Sequence, residues 1–225
     1  GIRDWSVTGV QTCALPISRQ KRSETEGMGD FWHAVKKRRS IYAIGKDIPI
    51  TEERVKEIVS NAVLYTPSSF NSQSARVVVL FNAQHEKLWD ITKATLRKIV
   101  PADNFGPTEE KMASFRSGRG TVLFFEDQTV IEGLQKQFAL YDENFPVWSE
   151  QSNGMLQYVV WTALSDEGVG ASLQHYNPLI DEEVRKEWGV PESWRLIAQM
   201  PFGKIEAPAG DKEFAPIDNR MKVFN

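Results

Sequence analysis

The stretch at residues 66–81, TPSSFNSQSARVVVLF, joins an amphipathic helix to an apolar strand and decides the fold. Its second half, ARVVVLF, is a β-branched run typical of a buried strand. Its first half holds more hydroxyl and amide groups than a surface turn needs. These are Ser68, Ser69, Asn71, Gln73 and Ser74. We expect these groups to hydrogen-bond a partner outside the loop.

The composition indicates a globular protein. The 225 residues are 41% hydrophobic and carry a formal net charge of −3. A chain of this length can bury a sizeable core. The charge provides no basic surface for nucleic acid, and no run of about 18 apolar residues marks a membrane span. We expect a soluble, cytoplasmic protein with no nucleic-acid or membrane partner.

Residues 1–18, GIRDWSVTGVQTCALPIS, do not resemble the rest of the chain. They lack the basic flank and the apolar run of a signal peptide, and they resemble a translated sequencing-adapter read-through. We interpret residues 1–27 as a non-native or disordered lead-in and residues 28–225 as a single domain. Cys13 is the only cysteine, and it lies in this lead-in. We therefore expect neither a disulfide nor thiol chemistry.

Hydrophobic periodicity predicts helices and strands that do not alternate strictly. The predicted helices lie at residues 30–39, 51–65, 84–100, 149–168 and 181–189. The predicted strands lie at residues 75–81, 120–127, 171–176 and 194–203, with a possible edge strand at 219–225. This order disfavours a doubly wound sheet and favours an α+β layered fold.

Two of these helices have specific signals. Thr51 can cap the second helix, whose predicted buried face comprises Val55, Ile58, Val59, Ala62 and Val63. The helix at 149–168 is apolar almost all round from residue 155 to residue 164, which predicts burial in the domain or in a subunit interface. Gly168 can end it with a left-handed cap.

Metal and nucleophile chemistry find little support. His33, His85 and His175 are scattered singly, without the spacing of a zinc site, so we expect no metal. His175 ends a predicted strand and is better explained as a structural residue than as a general base. No arrangement of Ser, His and Asp or of paired carboxylates identifies a catalytic set.

Two short motifs allow more than one interpretation. KKRRSIY at residues 36–42 is either a solvated helix end or an anion site, because arginine and a neighbouring Ser suit phosphate. GVGASL at residues 168–173 lacks a third glycine and follows a helix, so a helix cap and tight turn explain it better than a dinucleotide-binding turn does.

Three stretches together resemble the FMN-dependent nitroreductases: RRSIY at 38–42, PSSFNSQSARVVVL at 67–80 and EGVGASLQHYNP at 167–178. The similarity is greatest to the small bacterial and fungal subgroup that includes the fatty-acid-repression and copper-induced nitroreductases. It runs from about residue 31 to residue 224. It implies a three-layer fold with a central, mostly antiparallel sheet flanked by helices, and an intertwined homodimer.

The resemblance also implies how FMN is held at its charged end. Arg38, Arg39 and Ser40 match the family motif that binds the ribityl phosphate and the pyrimidine edge of the flavin. Arg220 matches the last basic phosphate ligand. The chain departs from the family at Tyr42, where many relatives have Arg or Lys, and at Asp218, where Lys is common. Phosphate binding is then expected to depend more on Arg38 and Arg220.

Two further segments match parts of the family that contact the ring system. In the family, a Pro-Ser-x-x-Asn-x-Gln loop reaches the flavin of the partner subunit. Its matches here are Pro67, Ser68, Ser69, Asn71 and Gln73. Leu173 and Gln174 match the segment whose backbone lies beside the isoalloxazine. The family has no protein nucleophile, since the flavin N5 atom accepts and donates the hydride.

The activity implied is transfer of reducing equivalents from NADH or NADPH to nitroaromatic or quinone-type acceptors by a ping-pong mechanism. The aromatic residues of FALYDENFPVW either line the acceptor pocket or pack in the core. They are Phe138, Tyr141, Phe145 and Trp148. Two alternatives remain: a flavin-binding stress or lipid-response regulatory protein with little turnover, and an anion-binding module that has lost its flavin.

Overall fold

The computed structural model describes residues 24–224. Cys13 and the rest of residues 1–23 lie outside this range. The helices in the described part are α1 Glu24–Lys37, α2 Glu52–Tyr65, α3 Asn82–Arg97, α4 Gly106–Arg116, α5 Gln128–Gln137, α6 Asn144–Asp166 and α7 Asp181–Trp188. The strands are β1 Ile44–Gly45, β2 Ala75–Phe81, β3 Gly120–Asp127, β4 Val169–Ala171 and β5 Trp194–Ile205. Helix α1 begins inside the segment that the sequence assigned to the lead-in.

The strands form one five-stranded sheet. Its order is β1-β5-β3-β2, and β4 also pairs with β5. All pairs between these described strands are antiparallel. Strand β3 lies in the middle and is buried along its whole length, whereas β2 is hydrogen-bonded to β3 alone among the described strands.

Helices cover both faces of the sheet, so the α+β three-layer prediction is confirmed. Because side chains alternate along a strand, β3 contributes Val122 and Phe124 to one core and Leu123 and Phe125 to the other. Residues of α2 and α6 complete the first core. Residues of α3, α4 and α7 complete the second.

Helix α2 begins where the sequence predicted. The Thr51 side chain accepts a hydrogen bond from the backbone N–H of Arg54 at 3.2 Å, so it satisfies one of the free donors of the first turn. Val55, Ile58, Val59 and Ala62 are buried as predicted. Val63 is 40% exposed, because it lies at the edge of the helical face that meets the sheet.

Helix α6 is longer than predicted, at 23 residues. The left-handed end at Gly168 is confirmed by its φ of 80° and by its N–H, which donates to the Ser165 carbonyl at 3.1 Å. Within the single chain, Met155, Tyr158 and Val159 of α6 are exposed on one side, so burial in the domain accounts for the other sides and burial in a subunit interface stays a prediction. No helix in the described range is long and apolar enough to cross a membrane.

Three strand predictions were wrong. The strand predicted at residues 171–176 forms only at Ala171, the last residue of β4, with an isolated bridge at Gln174. Strand β2 is only half-buried except at Leu80, because it lies at the edge of the sheet. Residues 220–224 form no strand and are exposed. They follow a single turn at Ile217–Asn219 and have no neighbouring strand among residues 24–224.

Candidate active site

The basic motif lies just after α1, beside the start of the C-terminal tail. Arg38, Arg39 and Ser40 line a cavity of about 510 Å³ together with residues 41–43 and 207–212. Arg39 fixes one wall, because its Nη2 donates a hydrogen bond to the Gly210 carbonyl at 2.6 Å. Lys212 lines the same cavity. The cavity thus gathers three cations, with Asp211 as its one carboxylate.

Arg38 is held by aromatic rings. Its guanidinium carbon lies 4.3 Å from the centroid of the Trp161 ring and 5.9 Å from that of Tyr158. Both rings belong to α6. Its Nε is buried without a hydrogen-bond partner, and no carboxylate of the described residues pairs with Arg38 or Arg39. A buried cationic donor without a partner is costly, so this geometry fits an anionic ligand.

Ser40 connects the basic motif to the segment after α6. It forms a parallel bridge with Ala171, and the next residue, Ile41, donates its N–H to the Ala171 carbonyl at 2.9 Å. The Trp161 Nε1 donates to the same carbonyl at 3.1 Å. Two of the three sequence stretches are therefore neighbours in the fold.

Leu173 and Gln174 continue this segment, but they differ in which of their groups remain available to a ligand. Leu173 is half-buried against the first core. Gln174 exchanges both backbone hydrogen bonds with Gln199, at 2.7 and 2.9 Å, and its side chain donates to the Ser172 hydroxyl. The backbone of Gln174 is thus occupied by the sheet.

The polar loop lies on a second cavity, of about 690 Å³, between α2, β2 and α6. Pro67, Ser68 and Gln73 line it. Ser68 organises the loop, since its carbonyl accepts the Asn71 N–H at 3.0 Å and its hydroxyl accepts the Gln73 N–H at 3.0 Å. The side chains of Asn71 and Gln73 are exposed and make no hydrogen bond within the described chain.

The loop backbone is unusual. Phe70, Asn71 and Gln73 have φ values of 58°, 50° and 48°. Side chains at positive φ cost about 1–2 kcal/mol each. Such a conformation persists only where surrounding contacts impose it.

The aromatic segment predicted for the acceptor pocket packs against this loop. The Phe70 ring centroid lies 5.0 Å from that of Phe138, 5.3 Å from Phe145, and 6.1 Å from both Tyr141 and Trp148. Phe145 is only 3% exposed, so it has a packing role here. Tyr141 is 41% exposed, and Trp148 is half-buried.

Glu126 at the inner end of the loop cavity escaped the sequence analysis. This β3 residue is fully buried and lines the cavity. Burial away from water raises the pKa of its carboxyl, an effect that hydrogen bonding partly offsets. Asn153 Nδ2 donates to its Oε1 at 2.7 Å, and Gln157 Nε2 donates to Asn153 at 2.7 Å. The sequence signal was a charged residue inside an otherwise apolar strand.

No residue lines both cavities, so the two groups of proposed flavin ligands are separate within one chain. Arg220 lies in the exposed tail and lines neither cavity. Lys212, which sequence reasoning missed, occupies the position on the Arg38 cavity that we expected of a C-terminal cation. Its only sequence signal is its place in the charged run DKE.

The histidines do not gather. His33 and His175 are exposed, while His85 is buried in the second core. Its Nδ1 lies 2.8 Å from the Thr121 hydroxyl, and burial lowers its pKa to about 4. Residues 24–224 contain no group of three or more metal-binding side chains.

Comparison with known proteins agrees with the fold and the motifs. The model of the nitroreductase family matches residues 35–204. Putative nitroreductase HBN1 of Saccharomyces cerevisiae is 37% identical over 191 residues, which are 84% of this chain and 93% of the yeast protein. The chain therefore belongs to the nitroreductase family, as the sequence motifs indicated, and it is an oxidoreductase.

Solved structures give the same result. Nitroreductase CinD from Lactococcus lactis, in complex with 4-nitrophenol, is 47% identical, with a TM-score of 0.80 over 87% of this chain and 100% of that one. A nitroreductase from Desulfitobacterium hafniense with bound FMN shares the fold at 16% identity and a TM-score of 0.63, covering 87% of this chain and 98% of that one.

Proposed function

We propose that two copies of this chain form an FMN-dependent oxidoreductase that transfers reducing equivalents from NADH or NADPH to nitroaromatic or quinone-type acceptors. The observation that carries this proposal is the buried, unpaired Nε of Arg38 in a cavity with two further cations. Family membership, the FMN bound by one relative and the 4-nitrophenol bound by another support it.

The Arg38 cavity fits the charged end of FMN. Arg38, Arg39 and Lys212 supply positive charge, and the Ser40 hydroxyl supplies a directional donor. Trp161 holds the Arg38 guanidinium by stacking, which limits the conformational freedom lost on binding. Leu173 lies two residues after Ala171, which pairs with Ser40 on the cavity. We therefore assign the segment that contains Leu173 to the edge of the isoalloxazine ring.

FMN, when bound, would supply the hydride acceptor and donor for a ping-pong cycle. The residues of the chain would then bind the cofactor, orient the substrate and shield both from water. Arg38 and Arg39, which match the family motif at the pyrimidine edge, would stabilise the negative charge of the reduced ring there. Tyr141 and Trp148 keep aromatic surface that an acceptor ring can contact.

The second copy completes the site. Pro67, Ser68, Ser69, Asn71 and Gln73 lie away from the Arg38 cavity of their own chain, and we assign them to the flavin held by the partner. In this arrangement the exposed amides of Asn71 and Gln73 find their hydrogen-bond partner across the twofold axis.

Exposed apolar surface supports this homodimer. Large apolar side chains are exposed at the end of α2, on one side of α6 and along the tail: Val63, Leu64, Tyr65, Met155, Tyr158, Val159, Ile217, Met221, Val223 and Phe224. Exposed apolar side chains of this size and number are typical of an interface. We assign the tail to the free edge of β2 in the second copy, where its backbone can pair. Arg220 would then act near the interface.

Three measurements test the proposal. The purified protein should absorb near ~450 nm, as oxidised flavin does, and should elute as a dimer in size-exclusion chromatography with light scattering. With NADH or NADPH and 4-nitrophenol or a quinone, double-reciprocal plots should be parallel. A colourless protein that cannot be loaded with FMN would overturn the proposal. Nicotinamide oxidation without acceptor reduction would favour a flavin-binding regulatory protein.

A further inference from the structure

The segment from Phe70 to Gln73 requires an external constraint to keep its shape. Phe70, Asn71 and Gln73 all have positive φ. Its internal hydrogen bonds join Asn71 and Gln73 to Ser68, and Ser72 to Ser69 at 3.1 Å. These bonds set the turn, but they leave the Phe70 backbone, at φ 58° and ψ 21°, without a partner that would hold it there.

The Phe70 ring provides that constraint. Four rings from residues 138–148 contact it at centroid distances of 5.0 to 6.1 Å, while the residue remains 52% exposed on its other side. The Trp148 ring is nearly parallel to it, at 19°, and the Phe145 ring meets it edge-on, at 65°. Such stacked and edge-on pairs are favourable beyond the area that they bury. Of these rings, Phe145 is itself fixed by packing, because it is buried in α6.

We propose that Phe70 is the positioning residue of the polar loop. Its ring packs against an aromatic cluster formed by Phe138, Tyr141, Phe145 and Trp148. This packing stabilises the strained backbone on which Asn71 and Gln73 lie. This inference rests on the proposed function for the role of those amides in binding FMN. Its structural part, a loop held by one side chain, can be tested without any flavin.

Glycine and alanine substitutions separate the ring from the backbone. Phe70→Gly removes the ring and relieves the strain of positive φ, whereas Phe70→Ala removes the ring and keeps the strain. If the backbone conformation alone mattered, the glycine variant would match or exceed the wild type. If packing of the ring stabilises the loop, both the glycine and the alanine variant should make the loop more mobile than in the wild type. Phe70→Tyr keeps the ring and should behave as the wild type.

Leu140→Ala is the matched control. Leu140 belongs to the same 138–148 segment, is 83% exposed and is not one of the rings that contact Phe70. Its loss should leave the loop unchanged. The thermal midpoint of each flavin-free variant provides the check on global folding.

Hydrogen exchange at the amides of Asn71, Ser72 and Gln73 is the first readout, measured on flavin-free protein. We expect exchange at least about tenfold faster in Phe70→Ala and Phe70→Gly, with a thermal midpoint close to that of the wild type, because local opening reports on local contacts. Wild-type exchange in either variant would overturn the proposal, as would equally fast exchange in Leu140→Ala.

The FMN dissociation constant is the second readout. We expect it to rise about tenfold in the Ala and Gly variants and to be restored in Phe70→Tyr. Unchanged affinity in a variant with a loosened loop would overturn the role in binding. If the wild type binds no FMN, the proposed function fails, while the exchange rates still decide whether Phe70 positions the loop.

Discussion

The guanidinium carbon of Arg38 lies 4.3 Å from the centroid of the Trp161 ring, and Arg38 Nε is buried without a partner. The indole therefore holds the cation at the cavity while its hydrogen-bonding capacity stays unused within the described chain. This combination distinguishes Arg38 from arginines that serve only packing, and it leads to the first prediction.

Arg38→Ala should weaken FMN binding by about tenfold to a hundredfold, since a hydrogen bond to a charged group contributes about 1.5–3 kcal/mol. Arg38→Lys should lie in between, because lysine keeps the charge and loses the planar fork. Arg97→Ala is the matched control. Arg97 also stacks at 4.3 Å, on Phe105, but lies on α3 and not on the cavity. Equal effects at both positions, measured by fluorescence titration, would contradict the assignment.

Leu64→Glu should weaken the dimer. Leu64 is 72% exposed at the end of α2, beside the polar loop, and a charge there would be desolvated on association. We expect light scattering to show a shift towards monomer and a matching loss of bound FMN. Ile99→Glu is the control, because Ile99 is 56% exposed at the end of α3, on the other face of the sheet. If the Leu64 variant stayed fully dimeric at nanomolar concentration, the end of α2 would not belong to the interface.

His85 should make the protein sensitive to acid. Burial lowers its folded-state pKa from 6.5 to about 4, so the folded state favours the neutral ring. The resulting stability is fully present above pH 6.5 and is lost as the pH falls towards about 4, a loss of about 3 kcal/mol over that range. His85→Gln cannot be protonated. Its free energy of unfolding, measured with urea, should be flatter than that of the wild type across this range, and parallel curves would refute this role.

Glu126 should act in the opposite direction. Its folded-state pKa is raised above 4.5 by burial, so the folded state holds the proton more tightly than the unfolded state does. That contribution is fully present below pH 4.5 and is lost as the pH rises through the folded-state pKa. Glu126→Gln stays neutral and keeps an oxygen for Asn153. The thermal midpoint of this variant should increase relative to that of the wild type as the pH rises from 4.5 to neutrality. A constant difference across that range would show that folding does not raise the pKa of Glu126.

Much of the sheet and its helices could be predicted because their signals are local. The run GTVLFFED became the buried β3, and Thr51 capped α2. Position within the sheet is not local, and it explains the errors. ARVVVLF has the composition of a central strand but lies at the edge as β2. The tail has strand composition but no neighbouring strand in the part of the chain that the structure describes.

The candidate site was predictable only where a motif carries it. Arg38, Arg39 and Ser40 are consecutive in the sequence and line one cavity, and their role as FMN ligands stays a prediction. Lys212 and Glu126 reach their cavities through tertiary packing, which single-sequence periodicity does not record. The contact of Phe70 with residues 138–148 joins positions about 70 apart in the chain. Local periodicity does not record contacts over such a separation, so neither Phe70 nor the aromatic residues of 138–148 indicated the contact by themselves.

The free edge of β2 also has a consequence for handling the protein. An unpaired apolar edge is a template on which other chains can add, and it leads to precipitation when nothing covers it. In the homodimer that we propose, the tail of the second copy covers this edge, so a chain shortened before Phe214 would expose its seven residues in every molecule. Its first defect should be poor yield and turbid solutions during expression, before any loss of colour could be measured.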